Sequence, residues 1–176
     1  MLRAMGDDLA DRLIGASELH GDFVLSSGKR SSVYFDKFRF LTDPPLLREV
    51  AHAVAELLPE GITHLAAPEG AATLLVAAVA LEVRMPVAVV RKEPKTYGTM
   101  SQVEGHAPAG AQVALIEDVS TTGSQVLRAA RALEAEGCTV GVIVLAIDRG
   151  GAERLRDAGY WVRSVVVVRP TEDRGS

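Results

Sequence analysis

The sequence is poor in several things, and each shortage narrows what the chain can be. It holds one cysteine, Cys138, among 176 residues. An internal disulfide is therefore impossible, cysteine-based metal sites are excluded, and a reducing, cytoplasmic setting is expected. Cys138 itself reads as a small hydrophobe between a helix and a strand. The four histidines, His20, His52, His64 and His106, show no metal-ligand spacing. Positive charge is not in surplus: the net charge of −4 gives no electrostatic case for a nucleic-acid partner. Long hydrophobic runs are also missing. The most apolar stretch, Ala71 to Val83, is too short to span a bilayer and carries Glu82 with Arg84 just behind it, so no membrane partner is expected. Asp7 and Asp8 come early with no long apolar run after them, and no secretory leader is expected. Neither GxxxxGK[ST] nor GxGxxG occurs, which removes the P-loop and the dinucleotide fingerprint.

What is present is alternation. Leu9, Leu13, Ile14 and Leu19 have roughly helical spacing over residues 7–19. Two short strand-like pieces follow, residues 22–25 and 32–35, around a glycine that suggests a hairpin. Thr42-Asp43-Pro44-Pro45 is a helix start, and that helix should run to about Leu58. Strands are then predicted at 64–67, 86–90, 113–116, 139–147 and 162–168, with helices at 70–83, 124–136 and 152–158 between them and a loop over 91–108. Runs such as Val140 to Ile147 lack polar alternation, as strands do when both faces are covered. The pattern predicts an α/β fold, doubly wound around a mainly parallel sheet, over residues 45–169. Residues 1–44 form a helix and hairpin belonging to the same domain, and 170–176 a polar tail. Trp161 reads as packing, His20 and His106 as surface residues, and Arg128 to Glu136 as a solvated helix face.

In such sheets ligands bind at the carboxyl ends of the strands. The segment Val113 to Gln125, VALIEDVSTTGSQ, ends a greasy strand in Glu117 and Asp118 and then enters a helix through Val119, Ser120, Thr121, Thr122, Gly123 and Ser124. Backbone N–H groups at a helix start favour a phosphate, the hydroxyls add donors, and Gly123 allows close backbone approach. Two adjacent carboxylates repel a phosphate but suit sugar hydroxyls, or a divalent cation held through water or substrate. A ribose 5-phosphate meets both demands. The competing reading is a plain strand-to-helix turn with Ser124 as N-cap and two solvated acids.

This segment closely resembles the phosphoribosyl-diphosphate (PRPP) motif of type I phosphoribosyltransferases. Arg91-Lys92-Glu93-Pro94-Lys95-Thr96-Tyr97-Gly98 looks like the RKxxKxHG signature of orotate phosphoribosyltransferases, with Tyr97 where histidine is usual. Phe23 to Asp36 resembles that family's F-x-L-x-SG-x-x-S-x-x-Y-x-D segment, which forms a hood over the base. Asp148-Arg149 matches the family's D-R pair. The resemblance spans residues 20 to 150.

It implies the transfer of ribose 5-phosphate from PRPP to orotate, with pyrophosphate released and Mg²⁺ carried by PRPP rather than bound directly by the protein. It implies a homodimer with shared active sites and places the reaction in pyrimidine synthesis. Thr121 and Arg149 would hold orotate, Tyr34 and Phe35 would flank it, and Ser26 would lie nearby. Glu117 and Asp118 would bind ribose hydroxyls, and Thr121 to Gln125 the 5-phosphate. Glu69, Gly70 and Ala71 would form the pyrophosphate loop. Lys92 would act in its own subunit, while Arg91, Lys95 and Tyr97 would reach into the partner's site. Lys92, Lys95 and Asp118 are the expected catalytic residues. Ser26 stands where many members carry lysine, and the 68–72 segment has no lysine. Another acceptor base, or a PRPP-sensing regulator of the same fold, therefore stays open as an alternative.

Overall fold

The computed structural model describes residues 5–24, 28, 30–94 and 101–168. The expected tail at 170–176 lies outside the described residues. The chain opens with helix α1 (Met5–Ser17) and an antiparallel hairpin of β1 (Glu18–Val24) and β2 (Arg30–Phe35). A one-turn helix α2 (Phe38–Leu41) leads to α3 (Pro44–Glu56). Asp43 caps α3, its carboxylate accepting the Leu46 N–H at 3.0 Å with prolines in the first turn.

The core then alternates: β3 (His64–Pro68), α4 (Ala72–Val83), β4 (Val87–Val90), β5 (Val103–Gly105), β6 (Gln112–Ser120), α5 (Ser124–Ala135), β7 (Thr139–Asp148), α6 (Gly151–Asp157) and β8 (Val162–Val167). The six-stranded sheet has the order β5-β4-β3-β6-β7-β8, parallel throughout except for β5 at its edge. The predicted fold class is therefore the observed one. Both faces are covered, which explains the unbroken apolar strands. One layer joins Leu75, Val76, Ile116 and Val144 to Leu13, Phe40 and Leu41 from the N-terminal segment. The other joins Leu115, Ile143 and Leu145 to Ala129, Leu133 and Leu155.

Three predicted boundaries move. The first helix stops at Ser17, and β1 begins at once. The stretch predicted as loop over 91–108 contains β5, a three-residue strand pairing Val90 with Val103. So short an element leaves almost no periodicity to read. The third shift matters most. Strand β6 does not end at Ile116 but runs on to Ser120, so Glu117 and Asp118 lie inside the strand. The β3–β6 ladder stops at Ala66–Leu115, whereas the β6–β7 ladder continues to Ser120–Asp148. Strand β6 thus overshoots β3 and leaves a notch at the carboxyl edge of the sheet.

Trp161 also departs from expectation: it is 54% exposed, with the Arg163 guanidinium 5.8 Å from its ring centroid. Cys138 is buried, as expected, its thiol against the Ala107 and Pro108 carbonyls. Burial pushes that thiol's pKa up, which suits an inert residue. No helix among the described residues is long and apolar enough to cross a membrane.

Candidate active site

The notch gathers the acids. Glu117 and Asp118 are 3% and 0% exposed, so they are not the solvated pair that a plain turn would carry. The Glu117 carboxyl folds back to accept the Asp118 N–H at 3.2 Å, and Asp118 accepts the Val119 N–H at 2.6 Å. Burial, reinforced by the neighbouring Asp118 charge, pushes the Glu117 pKa up to about 8. A residue that sequence reasoning missed answers the Asp118 charge. Lys37 Nζ lies 3.1 Å from both carboxylate oxygens of Asp118 across 81 residues of chain. Its only signal in the sequence was its position directly after the hood's Asp36.

Beyond the acids the chain turns through Thr121 and Thr122, both exposed, into α5. Gly123, not Ser124, is the residue before the helix. It sits at φ 69°, and no side-chain cap bonds the first turn from that position. The first-turn N–H groups are thus left largely to an incoming anion. Thr122 and Ser124 hydroxyls bond each other at 3.2 Å. Ser124 also accepts from the Arg154 guanidinium of α6, a second cation that sequence reading passed over because it lies 30 residues away. Gly151 makes room for this turn. A Cβ there would fall 2.0 Å from the Ser120 hydroxyl and 2.9 Å from the Gly123 nitrogen. Ser120 itself is buried, and Val119 and Gln125 are partly so.

At the end of β7, Asp148 turns its carboxylate to the backbone. Its carboxylate accepts the Gly150 and Ala152 N–H groups at 3.0 and 3.1 Å and ties the start of α6. Arg149 donates its backbone N–H to Ser120 and lays its guanidinium 4.9 Å from the centroid of Phe35. Tyr34 does not join it. Burial along β2 alternates, and Tyr34 packs on Phe23 with ring centroids 5.5 Å apart. The two aromatic residues expected to flank one base therefore serve opposite faces of the hairpin.

On the other side of the notch, Glu69 donates its N–H to Val90 and accepts the Lys92 N–H at 3.0 Å. Gly70 follows at φ 116°, and Ala71 is buried. Arg91 and Lys92 border a small cleft shared with Pro68, Gln125 and Arg128. This brings the basic segment to α5 and gives Arg128 a neighbour beyond the solvent-facing role expected for it. The foot of the basic segment is clamped: Arg91 N–H donates to the Gln102 carbonyl, and the Gln102 amide donates to the Arg91 and Lys92 carbonyls. Ser26, Lys95 and Tyr97 lie outside the described residues. No group of three or more His, Cys, Asp or Glu among the described residues could hold a metal ion. A concavity of about 1040 Å³ lies elsewhere, between α1, α3, α4 and β8, and none of the motif residues lines it.

A staggered parallel sheet, a glycine-entered helix after paired acids, and a basic segment facing that helix define a phosphoribosyl-transferring architecture. The phosphoribosyl transferase domain profile matches residues 39–172, and the chain belongs to that family. More particularly, its relatives include the orotate phosphoribosyltransferase of Thermococcus kodakarensis, 44% identical over 85% of this chain and 83% of that one. That of Nocardioides sp. is 42% identical over 90% and 89%. Among solved structures, orotate phosphoribosyltransferase from Aeropyrum pernix superposes with a TM-score of 0.77 at 35% identity, covering 94% of each chain. The Mycobacterium tuberculosis enzyme gives 0.81 at 27% identity over 93% and 96%.

Proposed function

We propose that the chain is an orotate phosphoribosyltransferase, which joins orotate and PRPP into orotidine 5′-monophosphate and pyrophosphate, a step of pyrimidine synthesis. The observation that carries this reading is the continuous path from the Glu117–Asp118 notch through the Gly123 turn to Arg149, backed by the relatives' shared activity. In this reading Thr121, Thr122, Gly123, Ser124 and Gln125 take the 5-phosphate. Glu117 and Asp118 take the ribose hydroxyls. Glu69, Gly70 and Ala71 border the pyrophosphate, Lys92 serves it in its own subunit, and Arg91, Lys95 and Tyr97 serve the site of the partner subunit. Arg149 and Thr121 hold the orotate carboxylate and ring edge beside Phe35, since a guanidinium fork matches a carboxylate.

As the bond from C1′ to pyrophosphate loosens, positive charge grows on the ribose ring. A ring nitrogen of the anionic base then forms the new bond to C1′, and the electron pair of the broken bond leaves with pyrophosphate. No strong base is required, so the protein's part is alignment and charge compensation. Mg²⁺ bound to PRPP would neutralise diphosphate charge. The acids here fit an ion carried in by substrate, because Lys37 already balances Asp118 and Glu117 holds its proton up to about pH 8.

We place the enzyme in the cytoplasm, in keeping with its single free thiol. We also read it as a homodimer. Leu74 and Leu81 lie seven residues apart on one face of α4, exposed, and offer an apolar contact. The test is direct. Protein, Mg²⁺, PRPP and orotate are mixed, and orotate absorbance and pyrophosphate release are followed. Turnover needing both substrates establishes the reading. PRPP binding without orotate consumption overturns it in favour of another acceptor or a sensor.

A further inference from the structure

We propose that Lys37 is a positioning residue for the ribose end of the site, fixing the Asp118 carboxylate and latching the N-terminal hood onto the core. The proposal rests on the reading above and deepens it. Lys37 belongs to no motif; it enters through geometry alone.

The carboxylate it meets is fully buried, while Lys37 remains 37% exposed at the edge of the notch. A buried carboxylate without a counter-charge is costly, and here the counter-charge comes from a different part of the chain. Asp118 Oδ1 accepts from the Val119 N–H on one side and from Lys37 Nζ on the other, which sets the rotation of the group. The adjacent acid, Glu117, accepts the Asp118 N–H with its carboxyl at 3.2 Å.

The segment bearing Lys37 is itself fixed. Asp36 donates its N–H to Ser17 at 2.8 Å, and its carboxylate accepts the Phe38 N–H at 3.1 Å. Two residues apart on this rigid turn, Phe35 meets Arg149 at the end of β7, and Lys37 meets Asp118 at the end of β6. One short stretch of hood thereby touches both the base-side cation and the ribose-side acid. Phe35 makes the first contact and Lys37 the second. The pairing of the two makes hood placement and carboxylate placement a single event.

The experiment compares wild type, Lys37→Arg, Lys37→Met, Asp118→Asn and the double variant Lys37→Met/Asp118→Asn. KM for each substrate, kcat, and PRPP affinity by calorimetry without acceptor are measured. Lys37→Met should raise KM for PRPP about tenfold or more, the scale of one charge-assisted hydrogen bond, with a smaller change in kcat. Lys37→Arg should recover most of the loss. The double variant should bind PRPP within about twofold of Asp118→Asn, because coupled residues are not additive. Unchanged PRPP affinity and KM in Lys37→Met, with only a lower melting temperature, would overturn the proposal. So would losses that multiply in the double variant. If Lys37→Met does not fold, the arginine variant and the double variant still decide. Should wild type bind PRPP yet never consume orotate, the functional reading fails alone, and the calorimetric comparison still tests Lys37.

Discussion

Gly123 and Gly151 stand back to back: a Cβ on Gly123 would come within 2.5 Å of the Gly151 carbonyl oxygen. The turn that enters α5 is thus cast against the first turn of α6, and neither residue tolerates a side chain. Gly151→Ala forces Ser120 and the Gly123 backbone apart. It should cost about 1–3 kcal/mol of stability, as overpacking does. It should also weaken PRPP binding more than orotate binding, because the displaced atoms are those of the loop. Melting curves together with calorimetry check both.

Glu117 makes stability depend on pH. Its pKa is raised to about 8 in the folded protein from an ordinary 4.5. Between those values the folded state keeps a proton that the unfolded state has lost, so stability falls as pH rises. This contribution is whole below about pH 4.5 and spent above about pH 8. Glu117→Gln keeps the acceptor for the Asp118 N–H without any proton to lose. The variant should lose this slope and melt higher than wild type at alkaline pH. Thermal melts across the interval decide, and an unaltered slope would contradict the burial origin of the shift.

The site was only partly legible. Parallel strands, the acid pair and the glycine turn lie in one contiguous stretch, and local periodicity with helix-terminus chemistry reads such stretches well. Lys37 and Arg154 were not visible because their partners, Asp118 and Ser124, sit 81 and 30 residues away. The β6 overshoot was hidden for a related reason. Two charged residues normally end a strand, and only the longer β7 beside them, with a lysine from the hood, makes their burial tolerable. For Tyr34 and Phe35 the sequence already carried the geometry: neighbours in a strand send their side chains to opposite faces.

Arg149→Ala should raise KM for orotate by about 10- to 100-fold, the worth of a charged hydrogen-bond donor, and leave PRPP affinity within about twofold. Arg149→Lys should recover only part of this, since an ammonium offers neither the fork nor the same flat face to Phe35. Steady-state kinetics with each substrate varied in turn would show it. Equal losses for both substrates would remove Arg149 from the base end.

Leu81 is 84% exposed on α4, so Leu81→Glu should leave the monomer fold intact. Under the homodimer proposal, it should shift sedimentation from dimer to monomer at micromolar concentration and lower activity in parallel. A variant that stays dimeric would move the interface away from this helix.

The hood's burial has a consequence for how the molecule is made. Leu13, Phe40 and Leu41 leave the ribosome early, yet their buried cluster includes Ile116, Val144 and Val166. At about 5–20 residues per second, Lys37 waits roughly 4–16 s for Asp118 to be synthesised. Through that interval Leu13, Phe40 and Leu41 lack the Ile116, Val144 and Val166 side chains that pack with them in the fold. The segment bearing Lys37 thus waits uncovered until the strands it packs against have been made. Slowed translation between Leu41 and Val166 would prolong that exposure and favour aggregation.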